Sequence, residues 1–194
     1  MGEEFGETRK SSSFRWIIDP IDGTQSFILR TPLFGTLLAL ERDGVPILGS
    51  IYLPIQDQLM IGSPQTGTFF EGEECFVSHT AVLGNATLLI SNPADVVSKE
   101  YGSGMTDLYR SVRLVRSFGD CYGYYLVARG IADIMVDLSE IEYYDVAPML
   151  PILAGSGGMH STVEGFTDFR TPTSLASNGL LHNDVRRILT DPLL

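Results

Sequence analysis

Six residues, Asp-Pro-Ile-Asp-Gly-Thr (19–24), directly follow the apolar run Phe-Arg-Trp-Ile-Ile (14–18). The run is short, aromatic and β-branched, which predicts a buried strand. Within the six residues, Pro20 fixes one φ and removes a donor, and Gly23 permits a close backbone approach or a positive φ. Asp-Pro and Asp-Gly are common turn dipeptides, but two aspartates at the end of a buried strand repel each other unless a cation joins them. The six residues therefore indicate either an ordinary turn or a cation site.

The residues after Gly23 predict a helical turn, with Thr24 as its N-cap and Phe27 facing inward. Free N–H groups at a helix start bind an oxyanion, and the Thr24 hydroxyl lies beside them. Carboxylates with room for water are the ligands that Mg²⁺ prefers. The segment is thus a candidate for Mg²⁺ and phosphate together.

The first half of the chain reads as a series of short strands. Three turn signals separate its apolar runs, namely Arg42-Asp43-Gly44, Ser63-Pro64 and Glu71-Gly72. Asp-Gly between two apolar runs is typical of a tight hairpin. We therefore predict an antiparallel meander up to about residue 80.

The second half alternates strands with segments of helical spacing. Helices are predicted at 121–132, with Tyr122, Leu126 and Ile131 inward, at 143–158, and at 180–190. We expect an α/β (α+β) chain with two layered sheets and helices between or outside them. The parts at about 1–80 and 81–194 are interpreted as two halves of one domain, 1–194.

Composition limits the partners and the location. A net charge of −11 argues against a nucleic-acid backbone or an anionic membrane. An acidic protein still acts on phosphates where bound cations reverse the local sign. The two cysteines, Cys75 and Cys121, are too few for a disulfide framework, and no apolar run approaches transmembrane length. We therefore expect a cytoplasmic protein.

Two further acidic segments add to the cation hypothesis. Glu3 and Glu4 lie within Gly-Glu-Glu, and Asp145 lies between aromatic residues and an apolar run at the start of a predicted helix. Taken alone, each is also typical of a solvated surface or of the first turn of a helix. Together with the two aspartates of residues 19–24, they favour a metal site.

Three elements of the sequence resemble the inositol monophosphatase family of Mg²⁺-dependent phosphatases. They are Gly-Glu-Glu (2–4), WIIDPIDGTQSF (16–27) and YDVAPMLPILAGSGG (144–158), in that order. The likeness runs from Gly2 to the final helix. It implies a layered αβαβα sandwich of the inositol monophosphatase/fructose-1,6-bisphosphatase type, in which the family's N-terminal helical region has no counterpart here. We therefore expect exposed apolar surface on the first sheet.

The resemblance implies two or three Mg²⁺ ions. Glu3 and Asp19 would bind the first ion, together with the backbone carbonyl of Ile21. Asp19 would bridge to a second ion, held also by Asp22 and Asp145. Hydrolysis of a phosphate monoester needs a nucleophile at neutral pH and cations that absorb charge on the leaving oxygen, and such a site provides both.

The resemblance also assigns the catalytic groups Glu3, Asp22 and Thr24. Thr24 would pair with Glu3 to orient and deprotonate the attacking water, so no phosphoenzyme is expected. The N–H groups of Gly23 and Thr24 would hold phosphate oxygens. Glu4 would contact water near the metal or lie on the surface.

The string Gly-Asp-Cys-Tyr-Gly-Tyr (119–124) looks most like the histidinol-phosphate phosphatase branch. This implies hydrolysis of histidinol phosphate, with inositol, nucleotide or sugar phosphates as alternatives. Because histidinol phosphate carries an ammonium and an imidazole, an acid in the pocket would favour it. Asp120 is expected to be that acid, unless it is a helix N-cap. Asp137 falls near the position of a substrate-contacting acid, although its spacing to Asp145 is one residue longer than usual.

Several other residues are expected in the core or on the surface. Cys121, Tyr122 and Tyr124 are expected in the core, and Arg30 meets phosphate or lies on the surface. Gln25 stands where relatives often carry Lys or Thr. The resemblance implies a homodimer. A reading of another class is an inactive fragment that binds a metal or a partner chain.

Overall fold

The computed structural model describes residues 12–97, 100–138, 141–167 and 172–191. Glu3 and Glu4 lie outside these ranges, so the site roles predicted for them stay predictions. Two sheets and six α-helices make up the described part. No helix in it is both long and apolar enough to cross a membrane.

The first sheet is the predicted antiparallel meander, with its six strands in sequential order. The strands are β1 (Phe14–Asp22), β2 (Gly35–Arg42), β3 (Val45–Leu53), β4 (Gln58–Ser63), β5 (Gly67–Phe70) and β6 (Glu73–Cys75). Asp43 and Gly44 join β2 to β3 with φ of 52° and 86°. Two successive positive φ values match the twist of a hairpin, which explains why Asp-Gly predicted this turn correctly.

The second sheet has the order β10-β11-β9-β7-β8. Its strands are β7 (Thr87–Ile90), β8 (Leu114–Arg116), β9 (Ile134–Asp137), β10 (Met159–Ser161) and β11 (Ser174–Ser177). β7 pairs in parallel with β8 and β9, whereas β10 and β11 run antiparallel to their neighbours. The carboxyl ends of β7, β8 and β9 therefore lie at one edge of the sheet.

Six α-helices connect or cover these strands. They are α1 (Thr24–Ile28), α2 (Gly102–Ser111), α3 (Asp120–Ala128), α4 (Tyr143–Val146), α5 (Met149–Gly155) and α6 (His182–Thr190). The helix predicted over 143–158 is therefore two helices. Pro148 has no N–H to continue the first one, and the chain restarts as α5.

The main core lies between the two sheets and contains α3 and α5. It joins Leu37 and Ile51 of the first sheet, Tyr125 and Ile152 of the helices, and Met135 of the second sheet. A second core lies on the far side of the second sheet, against α2 and α6. The described part thus forms sheet, helix, sheet and helix layers, which confirms the expected layered α/β architecture.

The outward face of the first sheet exposes apolar side chains. On β1, Ile17 is fully buried on the inner face, while Phe14, Trp16 and Ile18 on the outer face are 50%, 50% and 42% exposed. Tyr52 and Ile61 extend this exposed face across β3 and β4. The prediction of a buried strand is therefore correct for one face of β1 only, and the expected apolar surface is present.

Two side chains point opposite to the prediction. Phe27 is 47% exposed and packs edge-to-face on Phe34. Ile131 is 56% exposed, because α3 ends at Ala128 and Gly130 turns the chain with φ of 68°. The prediction that Ile131 faces inward assumed a helix that continues past this residue, whereas α3 ends at Ala128.

Helix α5 packs on the backbone of the first sheet. A Cβ on Gly49 would lie 2.0 Å from the carbonyl oxygen of Pro148, and one on Gly62 would lie 2.6 Å from the Cα of Ile152. Only glycine permits so close an approach. The two glycines thereby set the position of α5, and of α4 directly before it.

Candidate metal centre and substrate cavity

Asp19 and Asp22 both point to the inner face of the first sheet. Residues three apart on a regular strand face opposite sides. The pairing register with β2 shifts between Asp19, opposite Leu37, and Asp22, opposite Gly35. This bulge returns the Asp22 side chain to the face of the sheet that carries Asp19, and both residues are buried.

Backbone contacts hold the bulge in place. The Ile21 N–H donates to Asp19 Oδ1 at 3.0 Å, and the Thr36 hydroxyl donates to the Pro20 carbonyl at 2.9 Å. Pro20 lies in the bulge and has no pairing partner on β2. Because proline has no N–H, no backbone donor is left without an acceptor at this position. The Asp-Pro-Ile-Asp sequence therefore matches the local backbone that places both carboxylates on one face.

Asp145 reaches the same place from helix α4. Its Oδ2 accepts a hydrogen bond of 2.8 Å from the Glu142 N–H in a capping box. Tyr143 fixes the helix on the sheet by donating to Glu41 Oε2 at 2.9 Å, and Arg15 bonds the same oxygen at 2.8 Å. The short helix thus presents Asp145 toward the end of β1.

Asp19, Asp22 and Asp145 each place a carboxylate oxygen within 4.8 Å of the other two. Burial raises the pKa of Asp22 well above its usual range, and Asp120 and Asp145 raise it further, although the hydrogen bond from the Cys121 N–H opposes them. Three carboxylates this close repel one another, and a bound divalent cation would offset that repulsion. The donor set consists of hard oxygens, so the residues present fit Mg²⁺.

The loop that follows the bulge differs from the prediction in one respect. Gly23, with φ of 79°, occupies the N-cap position of α1, and Thr24 is the first helical residue. The predicted N-cap role of Thr24 is therefore wrong. The Thr24 hydroxyl instead donates to the Ile21 carbonyl at 3.2 Å. The N–H groups of Gly23 and Thr24 lie in the first turn, before the first helical hydrogen bond, from Phe27 N–H to the Gly23 carbonyl.

A cavity of about 280 Å³ opens beside the three carboxylates. It is lined by every site residue that the sequence predicted within the described ranges, together with four residues not assigned to the site. The predicted residues are Asp19, Ile21, Asp22, Gly23, Thr24, Asp120, Asp137 and Asp145, and the others are Gln25, Tyr124, Ile141 and Tyr144. The convergence is observed, while the roles of these residues stay predictions.

Asp120 is not a helix N-cap. Gly119 holds that position, and Asp120 is the first residue of α3 with a φ of 53°. Its carboxyl group faces the cavity, where burial raises its pKa above the usual range. The structure therefore excludes the capping interpretation and leaves the interpretation in which Asp120 lines the pocket.

Sequence reasoning missed two contacts that build the cavity. The Cys121 N–H donates to Asp22 Oδ2 at 2.6 Å, and the Ser91 hydroxyl donates to Asp137 Oδ2 at 2.6 Å. Both come from elements distant in sequence. The one available signal was position, since Ser91 and Asp137 directly follow or end parallel strands whose carboxyl ends share an edge.

The remaining candidates are surface or core residues, although Cys121 and Tyr124 also border the site. Arg30 is exposed and does not line the cavity. Cys121 is fully buried, and burial raises the pKa of its thiol, so it remains a neutral packing group. Tyr122 stacks on Tyr125 in the core. Tyr124 donates to Ser174 Oγ at 2.7 Å, as a core residue that also touches the cavity.

Comparison with known proteins gives one matching family and several similar phosphatases. The sequence profile of the inositol monophosphatase family matches residues 1–191. A histidinol-phosphatase of Chlorobaculum parvum is 38% identical over 157 residues, which are 81% of this chain and 60% of that protein. A histidinol-phosphatase of Mycobacterium tuberculosis is 32% identical over 193 residues, which are 95% of this chain and 73% of that protein.

A solved structure confirms the fold. The extragenic suppressor protein suhB of Bartonella henselae superposes with a TM-score of 0.92 at 28% identity, over 100% of this chain and 76% of that one. Its likeness covers both sheets and the helices between them. With its ordered motifs, its fold and its sequence relatives in agreement, the chain belongs to the inositol monophosphatase family.

Proposed function

We propose that this protein is a Mg²⁺-dependent phosphomonoesterase. The observation that carries the proposal is the convergence of Asp19, Asp22 and Asp145, whose carboxylate oxygens lie within 4.8 Å of one another beside an open cavity. A bound divalent cation would offset the mutual repulsion of three carboxylates in one place. Family membership supports the same reaction class.

Asp19, Asp22 and Asp145 would hold Mg²⁺, joined by the Ile21 carbonyl and by Glu3. When bound, the ions lower the pKa of the attacking water and stabilise charge on the leaving oxygen. Asp22 would be kept in place by the Cys121 N–H, and Asp145 by the Glu142 N–H. Two carboxylates positioned from different elements would therefore keep their geometry while substrate enters and leaves.

The backbone between β1 and α1 would hold the phosphate. The N–H groups of Gly23 and Thr24 lack helical partners and lie at the cavity. Gly23 has a positive φ, a conformation that other residues adopt at a cost. The Thr24 hydroxyl would orient the attacking water and pass its own proton to the Glu3 carboxylate as it receives one from that water.

We propose histidinol phosphate as the substrate, hydrolysed to histidinol in histidine biosynthesis. Two similar proteins carry the name histidinol-phosphatase. Asp120 and Asp137 line the cavity, and their negative charge would favour a substrate with an ammonium group over a neutral polyol. The other candidate is inositol 1-phosphate, since similar proteins include ones named fructose-1,6-bisphosphatase/inositol-1-monophosphatase.

Phosphate release from a panel of monoesters tests this proposal. With Mg²⁺, we expect L-histidinol phosphate to be hydrolysed faster than inositol 1-phosphate, and we expect EDTA to abolish both reactions. Preference for the polyol would contradict the substrate assignment. Hydrolysis that survives EDTA would contradict the metal mechanism, and binding of Mg²⁺ with no hydrolysis of any ester would favour the inactive fragment.

We further propose a cytoplasmic homodimer that binds neither nucleic acid nor membranes. The net charge of −11 supports the exclusion of polyanionic partners. Sedimentation velocity over a range of protein concentrations tests the dimer. A sedimentation coefficient of the monomer at all concentrations would contradict it.

A further inference from the structure

Glu41 is a buried acid that lies outside the candidate site. It belongs to β2, it is 4% exposed, and it does not line the cavity. A buried carboxylate is tolerated only where charged or hydrogen-bonding groups replace its water. The Arg15 guanidinium bonds Glu41 Oε2 at 2.8 Å, and the Tyr143 hydroxyl donates to the same oxygen at 2.9 Å. The proposed hydrolysis uses none of these three residues, so it does not account for this buried charge.

The three residues join strand β1 to helix α4. Arg15 and Glu41 are register partners on β1 and β2, and Tyr143 is the first residue of α4. Because side chains alternate along a strand, Arg15, Ile17 and Asp19 lie on the same face of β1. Glu41 thus holds α4 against the face of the strand that carries Asp19.

Apolar contacts hold the rest of α4 on the same two strands. Ile17 of β1, Ala39 of β2 and Ala147 at the end of the helix form one buried cluster, and the Tyr143 ring packs against it. The close approach of the next residue, Pro148, to the first sheet holds the chain after the helix. The Tyr143 hydroxyl is the attachment that can be removed while the ring and these apolar contacts remain.

The Asp145 carboxylate is bonded to the start of α4. Its Oδ2 accepts the hydrogen bond of 2.8 Å from the N–H of Glu142, the residue directly before Tyr143. The position of the first turn on the sheet therefore sets the distance from Asp145 to the two aspartates of β1. Because Mg²⁺ demands near-ideal octahedral geometry, a small shift of this turn would weaken cation binding.

We infer that Tyr143 and Glu41 are positioning residues that set the cation affinity of the three carboxylates through Asp145. The inference rests on the proposed function, and it adds residues outside the cavity to those that determine metal occupancy. Neither residue lines the cavity. Arg15 compensates the buried charge of Glu41, and Glu41 holds the first turn of α4 where Asp145 meets the other two carboxylates.

Binding of Mn²⁺ to the chain without substrate tests the inference, with free Mn²⁺ measured by electron paramagnetic resonance. Tyr143→Phe keeps the ring and removes the hydroxyl, so we expect the Kd of Mn²⁺ to rise about 3- to 10-fold. The Mg²⁺ concentration that gives half-maximal phosphate release should rise by the same factor. KM for the ester at saturating Mg²⁺ should not change, and a change in KM with the Kd of Mn²⁺ unaltered would contradict the inference.

Two variants of Glu41 test the other side of the contact. Glu41→Leu removes the acceptor and should raise the Kd of Mn²⁺ as Tyr143→Phe does. Glu41→Gln keeps an amide oxygen that accepts from Tyr143, so it should raise the Kd less than Glu41→Leu. Equal effects of the leucine and glutamine variants would show that the hydrogen bond does not position α4.

Two controls separate positioning from a general effect on the fold. In Tyr52→Phe a hydrogen bond of the same kind is lost, since the Tyr52 hydroxyl donates to Asp57 Oδ1 at 2.8 Å away from the cavity. His182→Gln changes a buried residue bonded to two serines on the far side of the second sheet. Neither variant should change the Kd of Mn²⁺. A rise as large as that in Tyr143→Phe would assign the effect to stability and overturn the inference.

The failure of the inference is distinguishable from the failure of the proposed function. If Mn²⁺ binds and no ester is hydrolysed, the proposed reaction fails, yet a raised Kd in Tyr143→Phe still supports the inference. If esters are hydrolysed with Mg²⁺ and Tyr143→Phe has the Kd of the original chain, the inference fails alone. An original chain that binds no Mn²⁺ contradicts both.

Discussion

At the scale of residues, the candidate site depends on one backbone irregularity. The register shift between Asp19 and Asp22 puts two carboxylates on the same face of β1, and helix α4 adds Asp145. The local sequence suits this backbone, since Pro20 has no N–H that would lose its partner and Gly23 has a positive φ. Removing one of these carboxylates should therefore affect function far more than fold.

We predict that Asp19→Asn lowers the Mg²⁺-dependent rate of phosphate release by more than about a hundredfold, because a charged metal ligand is lost. The fold should be retained, since an amide oxygen still accepts the hydrogen bond from the Ile21 N–H. Steady-state kinetics and circular dichroism measure the two effects. The matched control Asp43→Asn, in an exposed turn, should keep its rate, and near-normal activity of Asp19→Asn would contradict the metal assignment.

At the scale of elements, two contacts between backbones and one buried histidine hold the layers together. Gly49 and Gly62 let α5 lie directly on the first sheet. On the other side of the second sheet, His182 begins α6 fully buried, with Nδ1 2.9 Å from Ser177 Oγ and Nε2 2.9 Å from Ser161 Oγ. Neither the two glycines nor His182 lines the cavity, so substitutions there test the stability of the fold and not the proposed reaction.

We predict that Gly49→Ala lowers the free energy of unfolding by about 2–4 kcal/mol, because a Cβ would overlap the Pro148 carbonyl and neither backbone moves easily. Gly84→Ala is the control, since a Cβ there meets nothing within 4 Å. It should change the free energy of unfolding by less than about 0.5 kcal/mol. Urea denaturation measures both variants, and equal stabilities would show that α5 does not pack as described.

A pH dependence follows from the buried imidazoles. Burial lowers the pKa of His160 to about 3 and that of His182 to about 4, and Arg186 contributes to the shift of His182. Because the unfolded chain binds these protons near pH 6.5, stability is complete above that pH and falls as the pH decreases toward 4. We expect a loss of about 2 kcal/mol for each imidazole between pH 7 and pH 5.

Urea denaturation at both pH values checks this expectation. His182→Gln should be less stable at pH 7, because two hydrogen bonds change, but its stability should depend less on pH. His79→Gln, which changes an exposed side chain, should keep the pH dependence of the original chain. An identical slope in His182→Gln would show that this imidazole does not titrate on unfolding.

The same elements show what sequence predicts and what it does not. Asp43-Gly44 predicted its hairpin because the turn conformation is a local property of those two residues. The exposure of Ile131, the left-handed φ of Asp120 and the contact of Ser91 with Asp137 arise from packing between distant segments. The ordered motifs predicted that Asp19, Asp22 and Asp145 converge, whereas the contacts that position them could be identified only from the folded structure.

At the scale of the whole molecule, the helices between the sheets belong to both. Side chains of α3 and α5 share one core with Leu37 of the first sheet and with Met135 of the second. A core common to both sheets couples their unfolding. We therefore propose that the two halves form a single cooperative domain.

We predict one unfolding transition by heat, with the same midpoint in far-ultraviolet and near-ultraviolet circular dichroism. Mg²⁺ at ten times its Kd should raise Tm by about 3–6 °C, because it binds the folded state and offsets the repulsion among the carboxylates. In Asp19→Asn this rise should be much smaller. Two separate transitions would contradict the single domain.

Anomalous diffraction from crystals soaked with Mn²⁺ and inorganic phosphate tests whether the three carboxylates bind a cation. We expect an anomalous peak bounded by the carboxylates of Asp19, Asp22 and Asp145, with phosphate against the N–H groups of Gly23 and Thr24. A map with no peak among these three carboxylates, or with Mn²⁺ bound elsewhere, would contradict this expectation.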